Sequence, residues 1–180
     1  ITGCSTGIGY ACAARLVGSF RVIAGVRKPE DAERLRRDVG RGVTPILLDV
    51  TSEAQLEAAR EYVDRECGGE LYALINNAGY ALSGATELLP LADLRRQFEV
   101  NVIGPVALAQ KLLPALRRGR GRLVMMGSSS AQIALPFAGA YSATKAALDS
   151  FTTALRAEVA PEAKVVTIEP GAIETPIWAK

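Results

Sequence analysis

Tyr141 and Lys145 stand one helical turn apart in Tyr-Ser-Ala-Thr-Lys, a spacing that gives a phenol and an ammonium the same helix face. A tyrosine with a pKa of about 10 is a poor base at neutral pH. An ammonium ~4 Å away, at an effective dielectric near 20, would favour the phenolate by about 4 kcal/mol. At about 1.4 kcal/mol per unit, that predicts a fall of roughly three units, into the range of a general acid/base near pH 7. The pair therefore points to proton transfer at a substrate oxygen. Ser142 and Lys145 also match the S-x-x-K of penicillin-binding serine acylases. That chemistry uses S-D-N and K-T-G elements as well, and neither occurs.

Two more polar clusters follow apolar runs, where doubly wound sheets place their ligands. Gly127-Ser128-Ser129-Ser130 offers a serine able to hydrogen-bond a substrate oxygen. The chain has no histidine, so Ser-His-Asp machinery, papain-like cysteine chemistry and histidine-ligated metal are excluded, and no metal site is expected. Asn76-Asn77-Ala78-Gly79 offers amides that cap a turn or meet the adenosine half of a nucleotide. Near the start, Thr2-Gly3-Cys4-Ser5-Thr6-Gly7-Ile8-Gly9 lies between a strand stub and a helical stretch. Glycines let the backbone approach a pyrophosphate, whose charge the helix N-terminus stabilises. The spacing is Gly-x-x-x-Gly-x-Gly rather than G-x-G-x-x-G, and no Gly-Lys pair makes it a P-loop.

Elements that could hold these residues alternate along the chain. Strand-like runs fall at 21–26, 43–49, 71–75, 122–126 and 164–169; helical stretches fall at 7–16, 29–39, 52–67, about 91–116, and 140–159. Pro29 and Ser52 occupy preferred helix-start positions. Strands this apolar, each bounded by a helix, predict an α/β fold: a doubly wound parallel sheet, Rossmann-like, in a single domain over 1–180. The opening at Ile1 and the stop at Lys180 suggest truncation at both ends, with an incomplete first strand and with the last strand and a substrate loop lacking.

With 180 residues, 49% of them hydrophobic, the chain can bury a substantial core. A net charge of +2 gives no reason to expect nucleic acid, and the basic run Arg117–Arg122 reads as a solvated turn. No apolar run reaches membrane-spanning length. Cys4, Cys12 and Cys67 are odd in number and widely spaced, which suggests free thiols and a cytoplasmic location.

In order and joint spacing these motifs resemble the short-chain dehydrogenase/reductase family, in its non-extended, hydroxysteroid- and retinol-dehydrogenase-like branch. The resemblance spans nearly the whole chain: the glycine loop, Asp49-Val50, Asn-Asn-Ala-Gly, Asn101, Ser128, Tyr-x-x-x-Lys and Pro170-Gly171. It implies a catalytic set of Asn101, Ser128, Tyr141 and Lys145. Tyr141 would be the acid/base, with Lys145 lowering its pKa and holding the nicotinamide ribose. Ser128 and Tyr141 would bind the substrate oxygen, and Asn101 would hold a water leading from Lys145 to solvent. For the cofactor, the resemblance implies Gly3, Ser5, Thr6, Gly7, Ile8 and Gly9 at the pyrophosphate and adenosine ribose, Asp49 and Val50 at the adenine, and Asn77, Ala78 and Gly79 nearby. Pro170, Gly171, Ile173 and Thr175 would meet the nicotinamide carboxamide.

An NAD site ends the second strand on a carboxylate that accepts from the ribose 2′-hydroxyl, whereas an NADP site puts a cation there. Here Val26 is followed by Arg27 and Lys28, so NADP(H) is expected in preference to NAD(H). Apolar residues at 80–84 and 132–137 suggest a small-molecule carbonyl or alcohol of steroid, retinoid or lipid character. The resemblance also implies a homodimer or homotetramer through the helices near 91–116 and 140–159. Two alternatives remain: a non-catalytic NADP(H) sensor, which would usually have lost the Tyr or Lys, and an epimerase or dehydratase, whose loop spacing differs.

Overall fold

The computed structural model describes residues 1–178. Its helices begin and end where local chemistry directs. In α2 (Pro29–Val39), a proline opens the first turn, Glu30 and Asp31 follow it, Arg36 and Arg37 close the last turn, and Gly40 terminates at φ 88°. Charges of each sign thus sit at the favourable end of the helix dipole. In α3 (Glu53–Glu66), the Ser52 hydroxyl caps by accepting from the Gln55 amide. The remaining helices are α1 (Gly7–Leu16), α4 (Leu91–Phe98), α5 (Gly104–Arg118) and α6 (Gly139–Glu158).

Five short strands pair in parallel. β1 (Val22–Val26) lies beside β2 (Val43–Leu47); β4 (Arg122–Met126) lies between β3 (Ala73–Asn76) and β5 (Lys164–Ile168). The opening residues join the two groups. The Gly25 amide donates to the Ile1 carbonyl at 2.7 Å, and the Thr2 amide donates to the Ile75 carbonyl at 2.9 Å. The order across the molecule is therefore β2, β1, residues 1–2, β3, β4, β5, and it reverses beside the glycine loop. Doubly wound sheets bind ligands at such a reversal.

Each face of the sheet has its own core. Leu56 and Val63 of α3, Leu108, Leu112 and Leu116 of α5, and Leu148 of α6 pack with Leu74, Leu123 and Met125 of the strands. Ala13 of α1 and Leu35 of α2 pack with Val22, Ala24 and Val26 of β1. The expected α/β architecture is present.

Several boundaries differ from the sequence expectation for local reasons. In the run 43–49 the strand ends at Leu47 and the Leu48 amide makes a last bond to the Val26 carbonyl at 2.8 Å, after which Asp49 turns the chain by accepting from the amide and hydroxyl of Thr51. The run 71–75 pairs as Ala73–Asn76, since the Leu71 amide is taken by the Ala115 carbonyl at the end of α5. The helix expected over about 91–116 is three pieces: α4, a π-helical turn over Glu99–Ile103, and α5. Pro105 has no N–H to close the usual bond onto the Asn101 carbonyl, and the Gly104 amide instead reaches back five residues to Glu99.

The basic run is absorbed locally. Arg117 pairs with Glu162 at 2.6 Å, Arg118 donates to the Gly69 carbonyl at 2.7 Å, and the Arg122 guanidinium lies 5.0 Å from the Tyr72 ring centroid. Among the described residues, no helix is long and apolar enough to cross a membrane, and no cluster of His, Cys, Asp and Glu could hold a metal ion.

Candidate active site

The glycine loop turns at Gly3 and Gly7, with φ values of 69° and 57° that side-chain-bearing residues rarely adopt. Gly9 answers a different need. A Cβ there would lie 2.3 Å from the Gly3 carbonyl oxygen, so α1 can pack down on the loop only without one. Thr2, buried below the loop, accepts from the amides of both Asn77 and Ala78 at 2.9 Å. The Asn77 side chain donates in return to the Thr2 carbonyl (2.9 Å) and the Gly3 carbonyl (3.2 Å). These bonds lock the glycine loop to the end of β3. No described side chain caps the start of α1, and a helix start left so has amides that can take an anion.

The loop forms one wall of a cavity of about 460 Å³. Gly3, Thr6, Gly7, Ile8 and Arg27 lie at one end, and Asn77, Ala78 and Gly79 follow. Ser128, Tyr141 and Lys145 stand opposite, with Pro170, Gly171, Ile173 and Thr175 closing the other side. Sequence-predicted residues from six separate segments thus converge. Five do not line the cavity. Arg34 donates to the Ser5 carbonyl at 2.5 Å; Gly9 packs on the Gly3 carbonyl; Asp49 is held by Thr51; Val50 is buried against Gly104; and Asn101 is buried against the Tyr80 backbone. Another cavity, about 500 Å³ between β1 and β3, is lined largely by apolar side chains and holds none of the catalytic set.

Tyr141 is buried and hydrogen-bonded to Ser128. The Ser128 oxygen accepts from the Ser130 amide at 3.1 Å, so the serine's own proton remains available for donation. Lys145 is only 4% exposed, and its Nζ donates to the Met126 carbonyl at 2.6 Å, 5.6 Å from the centre of the Tyr141 ring. The electrostatics depart from the sequence expectation. Burial pushes the Tyr141 phenol above its ordinary value, with the Ser128 hydrogen bond opposing it, while burial brings Lys145 down to about 8. The expected depression of the phenol by three units is absent because Lys145 is directed at a backbone carbonyl and both groups are desolvated.

Asn101 is only 1% exposed. Its side-chain oxygen accepts from the Tyr80 amide at 3.0 Å, and its nitrogen donates to the Tyr80 carbonyl at 2.9 Å and to the Thr144 hydroxyl at 3.1 Å. The side chain is thus occupied as a clamp, and Pro105 has no N–H to offer the Asn101 carbonyl. Thr2, Arg34 and Thr144 were missed as site-builders, though Thr2 and Thr144 lie inside motifs already singled out. At the rim, burial raises Asp49, but the hydroxyl and amide of Thr51, then Arg96 and Arg27, bring it below the usual carboxylate range.

A reversing parallel sheet, with a turned glycine loop at a helix start beside a cavity, is the architecture of the doubly wound, Rossmann-like fold. A short chain dehydrogenase family model matches residues 1–180, and the chain belongs to that family. It is 40% identical over 178 residues to the uncharacterized oxidoreductase YbbO of Escherichia coli, covering 97% of this chain and 65% of that protein. It is 36% identical over 188 residues to the NADPH-dependent 3-dehydrocapnine reductase of Ornithobacterium rhinotracheale, covering 100% of this chain and 66% of that one. Among solved structures, serine dehydrogenase in complex with NADP+ superposes with a TM-score of 0.92 at 26% identity, covering 99% of this chain and 73% of that one. The chain spans somewhat under two thirds of the length of these curated relatives.

Proposed function

We propose that this chain carries the cofactor-binding and catalytic part of an NADP(H)-dependent oxidoreductase that interconverts a carbonyl and a secondary alcohol. The carrying observation is the meeting of Ser128, Tyr141 and Lys145 in one cavity with the glycine loop and Arg27. The residues fit a dinucleotide: the left-handed glycines let phosphate approach the backbone, and the uncapped α1 start supplies amides for it. A bound nicotinamide supplies or takes up the hydride. In carbonyl reduction Ser128 donates a hydrogen bond to the substrate oxygen, and Tyr141 gives that oxygen its proton. In alcohol oxidation the same proton returns to Tyr141. Lys145 sets the charge beside the phenol, and its position fits a contact with the nicotinamide ribose.

Substrate character follows from the walls. Leu135 and Ile173 line the cavity, and Ile133 and Phe137 are largely exposed nearby on the segment joining β4 to α6. These fit an apolar steroid-, retinoid- or lipid-like compound. Exposed Ile103 and Phe151, in the π turn and on α6, fit a homodimer or homotetramer contact. Three free cysteines suit a reducing, cytoplasmic compartment.

Arg27 carries the cofactor preference, since it is the cation in the cavity wall after β1. Removing a charge-assisted bond to the 2′-phosphate is worth about 10–100-fold. Arg27→Ala is therefore expected to lower kcat/KM for NADPH by that factor and leave the NADH value unchanged. NADPH consumption against a panel of carbonyl compounds, run in parallel with NADH, measures both points. Equal losses for the two cofactors would remove Arg27 from 2′-phosphate recognition, and no consumption with any carbonyl would defeat the proposed activity.

A further inference from the structure

We propose that Thr144 is a positioning residue for the Tyr141–Lys145 pair, a role that rests on the proposed chemistry of that pair. Thr144 is wholly buried and immediately precedes Lys145. Its hydroxyl donates to the Tyr141 carbonyl at 2.7 Å and accepts from the Asn101 side-chain nitrogen at 3.1 Å. One oxygen atom thus joins the first turns of α6 to the π turn over Glu99–Ile103.

The other side of that joint is equally fixed. Asn101 grips the Tyr80 backbone at both its amide and its carbonyl, and the Gln97 side chain donates to the same carbonyl at 3.1 Å. Tyr80 follows Asn77–Gly79 along the cavity wall. A continuous set of bonds therefore runs from the cofactor-facing loop after β3, through Asn101 and Thr144, to the main chain of Tyr141.

A threonine hydroxyl bonded back to the carbonyl three residues earlier biases the local bend of its helix. Here that bend sets where the phenol and the ammonium project. Without the hydroxyl, one hydrogen of the Asn101 amide loses its partner in a dry interior, and α6 loses its tie to the π turn. Valine keeps the shape of threonine and removes the bond; serine keeps the bond and removes a methyl group.

The test compares Thr144→Val, Thr144→Ser and Tyr141→Phe in the complete protein. A misplacement on the ångström scale can lower turnover by about 100-fold. Thr144→Val is expected to lower kcat by about 10–100-fold, with KM for NADPH little changed and the pH–rate limb displaced, while Thr144→Ser restores most of the rate. If the valine variant is insoluble, Thr144→Ala against Thr144→Ser decides by the same criteria. Wild-type kcat and pH limb in the variant lacking the hydroxyl would overturn the assignment, as would serine and valine variants impaired alike. Full activity in Tyr141→Phe would instead overturn the chemistry of the pair, whatever Thr144 shows.

Discussion

Tyr141→Phe is expected to lower turnover by about 10²–10⁴-fold, the range for loss of a positioned general acid/base, while NADPH binding is retained. The substitution removes one buried oxygen and leaves the ring in place. Its partner Ser128 still accepts from the Ser130 amide. The fold should therefore lose little, on the order of 1 kcal/mol. Cofactor titration by fluorescence and single-turnover kinetics separate the two effects. Near-normal turnover would end the role given to Tyr141.

The direction of the Tyr141 shift gives this prediction a pH signature. Because burial raises the phenol, it stays protonated through neutral pH. Carbonyl reduction uses that protonated form, so its rate should hold across neutrality and fall only on the alkaline side. Alcohol oxidation uses the phenolate and should climb with pH over the same range. Matching pH profiles in the two directions would contradict the assignment.

Much of this site is legible in the sequence because backbone conformation and secondary-structure ends place it. The glycine loop, the serine after β4 and the amides after β3 all sit at strand ends, and strand ends are readable from apolar runs and turn residues. Tyr141 and Lys145 share a helix, so their spacing alone puts them on one face. What the sequence hides is the tertiary partner of each group. Nothing near Lys145 in the chain announces that its ammonium will rest on the Met126 carbonyl, 19 residues away. The pair alone therefore carries no sign of the burial that raises the phenol.

The π turn was missed for a related reason. The apolar pattern over 91–116 supports one amphipathic helix, and Pro105 was the available signal against it. A proline there removes the amide that would serve the Asn101 carbonyl. Only the folded chain shows that the irregular turn also aims the Asn101 side chain at Tyr80 and Thr144. Thr144 itself lay between two residues chosen for their chemistry and carried no ionisable group to draw attention.

Lys145→Met should inactivate the protein and stabilise it at the same time. Loss of a preorganised charge beside the reacting oxygen lowers turnover by about 10²–10³-fold. Stability moves the other way, because Lys145 is held near 8 by burial rather than by a salt bridge. At about 1.4 kcal/mol per unit, a shift from 10.5 to about 8 corresponds to roughly 3 kcal/mol of destabilisation at neutral pH. Leaving the Met126 carbonyl without its donor returns about 1–2 kcal/mol of that. The net gain, about 1–2 kcal/mol, raises Tm by about 3–6 °C in a domain of this size. The sign with pH is fixed by linkage. Between about 8 and 10.5 the unfolded chain holds more protons than the folded one, so the wild-type protein gains stability as pH rises through that window. The methionine variant's advantage is therefore full at pH 7 and gone by the top of the window. Thermal denaturation of both proteins at pH 7 and near pH 10 reads this directly. A variant less stable than wild type at pH 7, or an advantage that grows with pH, would mean that the buried lysine is held by attraction, and the low pKa assigned to it would fall.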